Sequence, residues 1–313
     1  MSSLAYAPDG LPLGGATVSG TLITVDDYVN PPSRIPEIVR NLVADNQGYF
    51  IEDVFSTPGF TVQGGAIIYT PTFPQDLFLD PQQNIAARAP GAQAPLIAGK
   101  RYQPQVARPE SKSGRIEVTD EARQRNQVWD VQNTFMKAAN SFADYMQARG
   151  IAALNTAVSA WSRTISGVNW RTSHSSGLVN VDPTTLPIND LGNVLKQFRA
   201  DKTGVRPDLL ILHENDAFYL DLVTSGPFMT PGAYADALLN RYNLRLLVSP
   251  HATEGTALFV KSKQVGVIAF EKPLDQEYER AATRKTDIFV LEMRPVFVAQ
   301  DASAVLAVTG ISG

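Results

Sequence analysis

Seven prolines, at positions 71, 74, 81, 90, 95, 104 and 109, fall between Pro71 and Gly114, a stretch with few large apolar clusters. Each proline sets φ and removes a backbone donor, so neither a helix nor an interior strand can run through the segment. A structureless loop of this length does not fit inside a compact domain. It either projects from the body to bind something or is disordered, and we read it as an excursion that projects. The flanking stretches Ala66 to Thr70 and Arg115 to Val118 have strand character, and the expectation is that they pair as the base of one hairpin.

Around this excursion the rest of the chain has distinct periods. Residues Met1 to Pro32 are rich in Gly, Pro, Ser and Thr, with one short strand-like run at Thr21 to Val25, and read as an arm. Ser33 then caps a short amphipathic helix carrying Ile35, Ile38, Val39, Leu42 and Val43. After the excursion Thr119 caps a short helix through Ala122. Val128, Val131, Phe135, Ala138, Phe142 and Met146 then recur every three to four residues, with Asp130, Asn133, Lys137, Asn140 and Asp144 on the other face. The pattern continues past Gly150 to Trp161, longer than the roughly 10 to 14 residues of an ordinary helix. From about residue 186 helix and strand signals alternate, and from Leu244 onward the chain is mostly strand.

Bulk properties exclude several function classes. With 313 residues the chain exceeds one compact core, so two subdomains with extended segments are expected. A net charge of -4 argues against a dedicated nucleic-acid reader. The absence of cysteine removes disulfides and thiolate chemistry and fits synthesis in a reducing cytosol. No apolar window is long enough to span a membrane, and no export signal opens the chain.

Catalytic chemistry finds little support. His174, His213 and His251 are far apart and lack a ligand partner at i+3 or i+4. The Gly10, Gly14, Gly15 group and the Gly64-Gly65 pair match no phosphate loop, and Glu277 and Glu279 read as the exposed face of a strand. No cofactor, metal or catalytic residue is assigned. The basic residues Arg88, Lys100, Arg101, Arg108, Lys112 and Arg115 accompany the excursion beside Tyr102. They fit a solvated loop and ion pairing across a subunit interface equally well.

Three segments, in their order and spacing, carry a resemblance. Gly114 to Asn126 (GRIEVTDEARQRN) resembles the place where an extended loop turns into a spine helix in major capsid proteins of tailed bacteriophages. Arg206 to Leu222 (RPDLLILHENDAFYLDL) is similar to the strand and helix of that family's axial domain. Gly255 to Pro273, followed by Thr286 to Gly310, resembles its closing strands.

The resemblance implies an α+β fold of the Hong Kong ninety-seven type, divided as follows. Residues 1-48 form an arm with a short helix, 49-119 the extended loop with its base strands, and 120-185 the peripheral domain's spine helix. Residues 186-273 form the axial domain, 274-300 peripheral strands, and 301-313 a closing strand of the axial domain. Functionally it implies a non-enzymatic subunit that assembles in hexamers and pentamers into an icosahedral shell around double-stranded DNA. Portal, scaffold and decoration proteins are the further partners, with no membrane, and the product is a virion component made in the host bacterial cytoplasm. Arg88, Lys100, Arg101 and Tyr102 become candidate inter-subunit contacts, and Phe135, Phe142 and Met146 the spine-helix core.

One branch of the family joins a loop lysine to a peripheral-domain asparagine. Lys100 suits the first role, but Glu279 to Asp287 contains no asparagine, so that crosslink is not expected. An encapsulin-like nanocompartment shell shares the fold and is the nearest rival. A soluble α/β enzyme using His213, Glu214 and Asp216 is the rival from another class.

Overall fold

The computed structural model describes residues 50–59, 61–78, 103–125, 128–173, 183–223, 230 and 232–312. Its helices are α1 (Ile51–Val54), α2 (Asp120–Gln124), α3 (Val128–Ala160), α4 (Trp170–Ser173), α5 (Pro187–Ala200), α6 (Glu214–Leu222) and α7 (Ala233–Tyr242). Its strands are β1 (Ile67–Tyr69), β2 (Gln105–Ala107), β3 (Lys112–Thr119), β4 (Thr164–Ser166), β5 (Leu209–Leu212), β6 (Arg245–Val248), β7 (Thr256–Val260), β8 (Gly266–Ala281), β9 (Thr286–Ala299) and β10 (Val305–Thr309). The expected arm and the helix from Ser33 lie outside the described residues.

Helix α3 follows from its periodicity. Val131, Phe135, Ala139, Phe142, Met146, Leu154 and Val158 are buried, while Asn133, Lys137, Asn140 and Asp144 are exposed. At 33 residues it spans about 50 Å. Gly150 sits inside it because α1 packs there: a Cβ at Gly150 would lie 2.1 Å from Ile51 Cδ1. Upstream, Thr119 Oγ1 accepts the Ala122 N–H at 3.2 Å and starts α2, as the sequence predicts.

Two sheets flank α3. The first is a ribbon of three antiparallel strands in the order β3-β9-β8. Ile116, Phe289 and Leu291 on one face of it pack with Phe135, Phe142 and Met146 of α3. The second sheet has the order β4-β10-β7-β5-β6, with β10 parallel to β4, β5 parallel to β6, and β7 antiparallel to both β10 and β5. Every residue of β5 is buried, as a central strand covered on both faces requires. Leu209 and Ile211 join the core shared with α3, and Leu210 and Leu212 join a second core with residues of α5, α6 and α7.

Three expectations need correction. Ala66 to Thr70 does not pair with Arg115 to Val118: β1 pairs with β2 through Ile68 opposite Val106, and β3 pairs along its whole length with β9. The division between residues 273 and 274 falls inside β8, which runs unbroken from Gly266 to Ala281 through a register shift near Pro273. Residues 164–166, placed with the spine segment, form β4 on the edge of the five-stranded sheet. In the last two cases a long-range ladder overrides a local punctuation mark.

Candidate functional site

The excursion leaves and re-enters the body at one place. On the paired strands β1 and β2, Ile67, Tyr69 and Ala107 face a small apolar cluster of Val62, Ala269, Val296 and Val298. Tyr69 Oη donates to Gln105 Oε1 at 2.9 Å and closes the ladder. Beyond it, Thr72 N–H donates to the Gln300 carbonyl at 2.6 Å and Ala302 N–H to the Thr72 carbonyl at 2.9 Å. On the return side Glu110 N–H donates to the Pro295 carbonyl at 3.2 Å. The opposite face presents Ile68 and Val106 to solvent, 71% and 57% exposed.

Glu110 also ties the returning chain to the spine. Its carboxylate accepts from Tyr145 Oη at 2.9 Å and from the Arg149 guanidinium, and Lys112 Nζ lies 4.8 Å from the centre of the Tyr145 ring. Burial first, then the bond to Glu110, pushes the Tyr145 hydroxyl up to about 12.

The four loop residues predicted as inter-subunit contacts, Arg88, Lys100, Arg101 and Tyr102, lie outside the described residues. The three spine residues lie together: Phe135, Phe142 and Met146 are 4%, 8% and 3% exposed, and Phe135 meets Phe289 edge-on with ring centres 6.3 Å apart.

Charge networks on the ribbon escape sequence reasoning. Asp287 is wholly buried and accepts from Arg123 Nη1 at 2.7 Å, Arg280 Nη1 at 2.8 Å and Tyr278 Oη at 2.8 Å. Burial pushes its carboxyl up, but these bonds outweigh burial and hold it below the usual carboxylate range. Arg280 reaches on to Asp120 at 2.7 Å, so α2 is pinned to the ribbon end. A second network centres on Glu292, which accepts from Lys272 Nζ at 3.0 Å, Arg294 Nη2 at 2.8 Å and Ser111 Oγ at 3.1 Å. Those bonds, Lys272's first, bring the Glu292 carboxyl down to about 2. The signal for the first network is the Arg280 and Asp287 pair flanking a tight turn, which becomes visible only once the hairpin register is known.

Two residues of the enzyme reading hold structural bonds. His213 Nδ1 accepts the Asn215 N–H at 3.2 Å and caps α6, and Asp216 accepts the Gly255 N–H at 2.8 Å. Asn215 Nδ2 donates to Glu254 Oε1 at 3.0 Å, so Asn215 and Asp216 tie the start of α6 to the loop before β7. His251 Nε2 lies 2.7 Å from Asp144 Oδ1 on the spine, and His174 lies outside the described residues. Among the described residues no three His, Cys, Asp or Glu side chains gather as metal ligands, and no helix is long and apolar enough to cross a membrane.

Comparison with known proteins supplies what the geometry alone does not. The family profile described as phage capsid protein matches residues 102–308. Among solved structures, one from Mycobacterium phage Bobi superposes with a TM-score of 0.57 at 14% identity, covering 84% of this chain and 90% of that one. The capsid structure of the cyanophage P-SCSP1u gives 0.56 at 14% identity, covering 84% and 88%. The virus-like particle from Pyrococcus furiosus gives 0.55 at 10% identity, covering 86% and 97%. At these identities the likeness speaks for the fold, which is that of Hong Kong ninety-seven type capsid proteins. No curated protein sequence matches the chain.

Proposed function

We propose, from the premise that the chain belongs to the phage capsid protein family, that its copies form hexamers and pentamers and close into an icosahedral shell around a tailed phage's double-stranded DNA. The observation that carries this reading is the extent of the family match, residues 102–308, which takes in α3 and both sheets. A structural capsid role and self-assembly follow from the family. The finer steps are our reading: synthesis in the host cytoplasm, partnership with portal, scaffold and decoration proteins, and weak non-specific contact with DNA.

In this reading the excursion is a strap laid over a neighbouring subunit, with Arg88, Lys100, Arg101 and Tyr102 at the contact. Its ends are pinned at Thr72 and Glu110, so load entering the strap passes into the ribbon and the spine rather than into a loose loop. The prolines and scarce large apolar residues of the segment between give it little to add to the subunit's own core. Replacing Thr72 to Gln103 by a tight turn is expected to leave a folded subunit that builds no stable shell. Circular dichroism against particle yield decides: native-like spectra with normal particle yield would remove the strap from assembly.

The direct test is negative-stain imaging of the expressed protein with an assay of enclosed nucleic acid. Closed particles that package DNA during infection support the reading, whereas particles enclosing only protein cargo, or a stable monomer at high concentration, overturn it. Because Glu279 to Asp287 lacks an asparagine, boiled particles are expected to run as a single band of subunit mass. A ladder of multimers would show covalent joining.

A further inference from the structure

The helices over the five-stranded sheet carry two exposed surface patches of opposite sign. Helix α5 contacts β10, next to edge strand β4, and its outer surface near the C-terminal end presents Lys196 and Arg199, followed by Lys202. All three are exposed, and none has an anionic partner among the described residues. The one acid nearby in sequence, Asp201, is consumed internally: Arg163, at the end of the spine, holds it at 2.6 Å with both side chains about 90% buried. The α5 macrodipole favours a cation in the last turn but does not call for three.

The second patch lies where α7 packs against α6. Gly232 N–H donates to the Asp221 carbonyl, which brings Asp221 at the end of α6 beside Asp236 in the first turn of α7. Both carboxylates are exposed and neither meets a cation among the described residues. Partial desolvation, and after it the like charge of Asp236, push the Asp221 carboxyl up. Two like charges held together at a surface without relief are an unfavourable arrangement that an outside cation corrects.

We infer that Lys196, Arg199 and Lys202 of one copy dock against Asp221 and Asp236 of the next copy. The two patches are different surfaces of the subunit, so a contact between them is head-to-tail, and repeating it by rotation closes a ring. This rests on the shell-forming reading above and adds to it the surfaces by which subunits join around a ring. Ion pairs of this kind set register and on-rate more than raw affinity, and they are screened by salt.

The test reverses each patch separately and then together. Lys196→Glu with Arg199→Glu is expected to give a folded subunit, by circular dichroism and thermal melting, that yields no particles. Asp221→Lys with Asp236→Lys is expected to do the same, and all four changes together to restore particles. The neutral pair Lys196→Gln with Arg199→Gln keeps the helix and is expected to give particles that fall apart at several-fold lower salt. Wild-type particle yield from either reversed pair, no rescue in the fourfold variant, or unchanged salt tolerance in the neutral pair would overturn the inference. So would normal shells with depleted DNA, which would make nucleic acid the partner of the basic patch. A wild type that stays monomeric overturns the shell reading itself, and is distinguished by that alone.

Discussion

Asp287 and Asp190 are both closed off from water, at 0% and 1% exposure, and they answer burial in opposite ways. On the ribbon, Asp287 lies between two guanidiniums and a phenol, and its carboxyl is held below the ordinary range. In the five-stranded domain, Asp190 meets the Trp170 indole N–H at 2.8 Å and the Val168 N–H, with no cation. There burial dominates, offset in part by those two bonds, and the carboxyl is pushed up. The ribbon, with solvent on one face, has its end and outer face tied by ion pairs. The five-stranded sheet is sealed by apolar layers on both faces and uses its buried acid, without a cation, to fasten the chain after β4 through the Val168 and Trp170 N–H groups.

The largest perturbation tests whether these are separate regions at all. Phe135→Ala removes a ring from a core that contains residues of both sheets, Phe289 and Leu291 of the ribbon with Leu209 and Val305 of the other. It is expected to cost about 3–5 kcal/mol in urea unfolding. One cooperative transition shifted as a whole would show the spine welding the sheets together; two transitions with one unmoved would split them.

Asp287→Asn leaves two arginines facing a neutral amide and is expected to cost about 2 kcal/mol at neutral pH. Asp190→Asn keeps an acceptor for Trp170 and Val168 and is expected to cost under about 1 kcal/mol. Equal or inverted costs, measured as denaturation midpoints at constant m, would end the distinction between the two acids.

The smallest effect is in the pH profile. For Asp287 and Glu292 the folded value lies below the unfolded one, so their contribution is present above about pH 4 and lost as pH falls through the folded value, about 2 for Glu292. Asp190 is raised, so its contribution is present below about pH 4 and lost as pH rises through the folded value. Urea midpoints between about pH 2 and 6 should therefore fall toward acid, and Asp287→Asn should flatten that fall.

Helical periodicity made α3 legible almost to its last residue, because one amphipathic stripe is a local property. The Thr119 cap was legible for the same reason. The ladder partners were not. β2 is three residues wedged between Pro104 and Pro109 with no strand pattern of its own, and it forms because Ala107, with Ile67 and Tyr69 of β1, has an apolar cluster to meet. Proline ordinarily interrupts a ladder, yet Pro273, taken as a boundary, and Pro295 lie within β8 and β9, the first at a bulge. Of the candidate site, the buried spine residues could be read from spacing. The Asp287 and Glu292 networks could not, since Asp120, Arg123 and Ser111 reach them from 160 to 181 residues away.

Both sheets are completed by strands made late. β9 is the middle strand of the ribbon, and β10 lies between β4 and β7. Until residues 286–309 have left the ribosome, β3 has no neighbour and β4 is a lone strand. Pairing across so many intervening residues carries a large loop-closure entropy and is slow. Without these strands the subunit has no finished surface to offer another, and at roughly 5 to 20 residues per second the wait from β3 to β10 is on the order of ten seconds or more. On a messenger crowded with ribosomes, this topology sets the order in which the folded surfaces of each nascent chain are finished, the spine first and both sheets last.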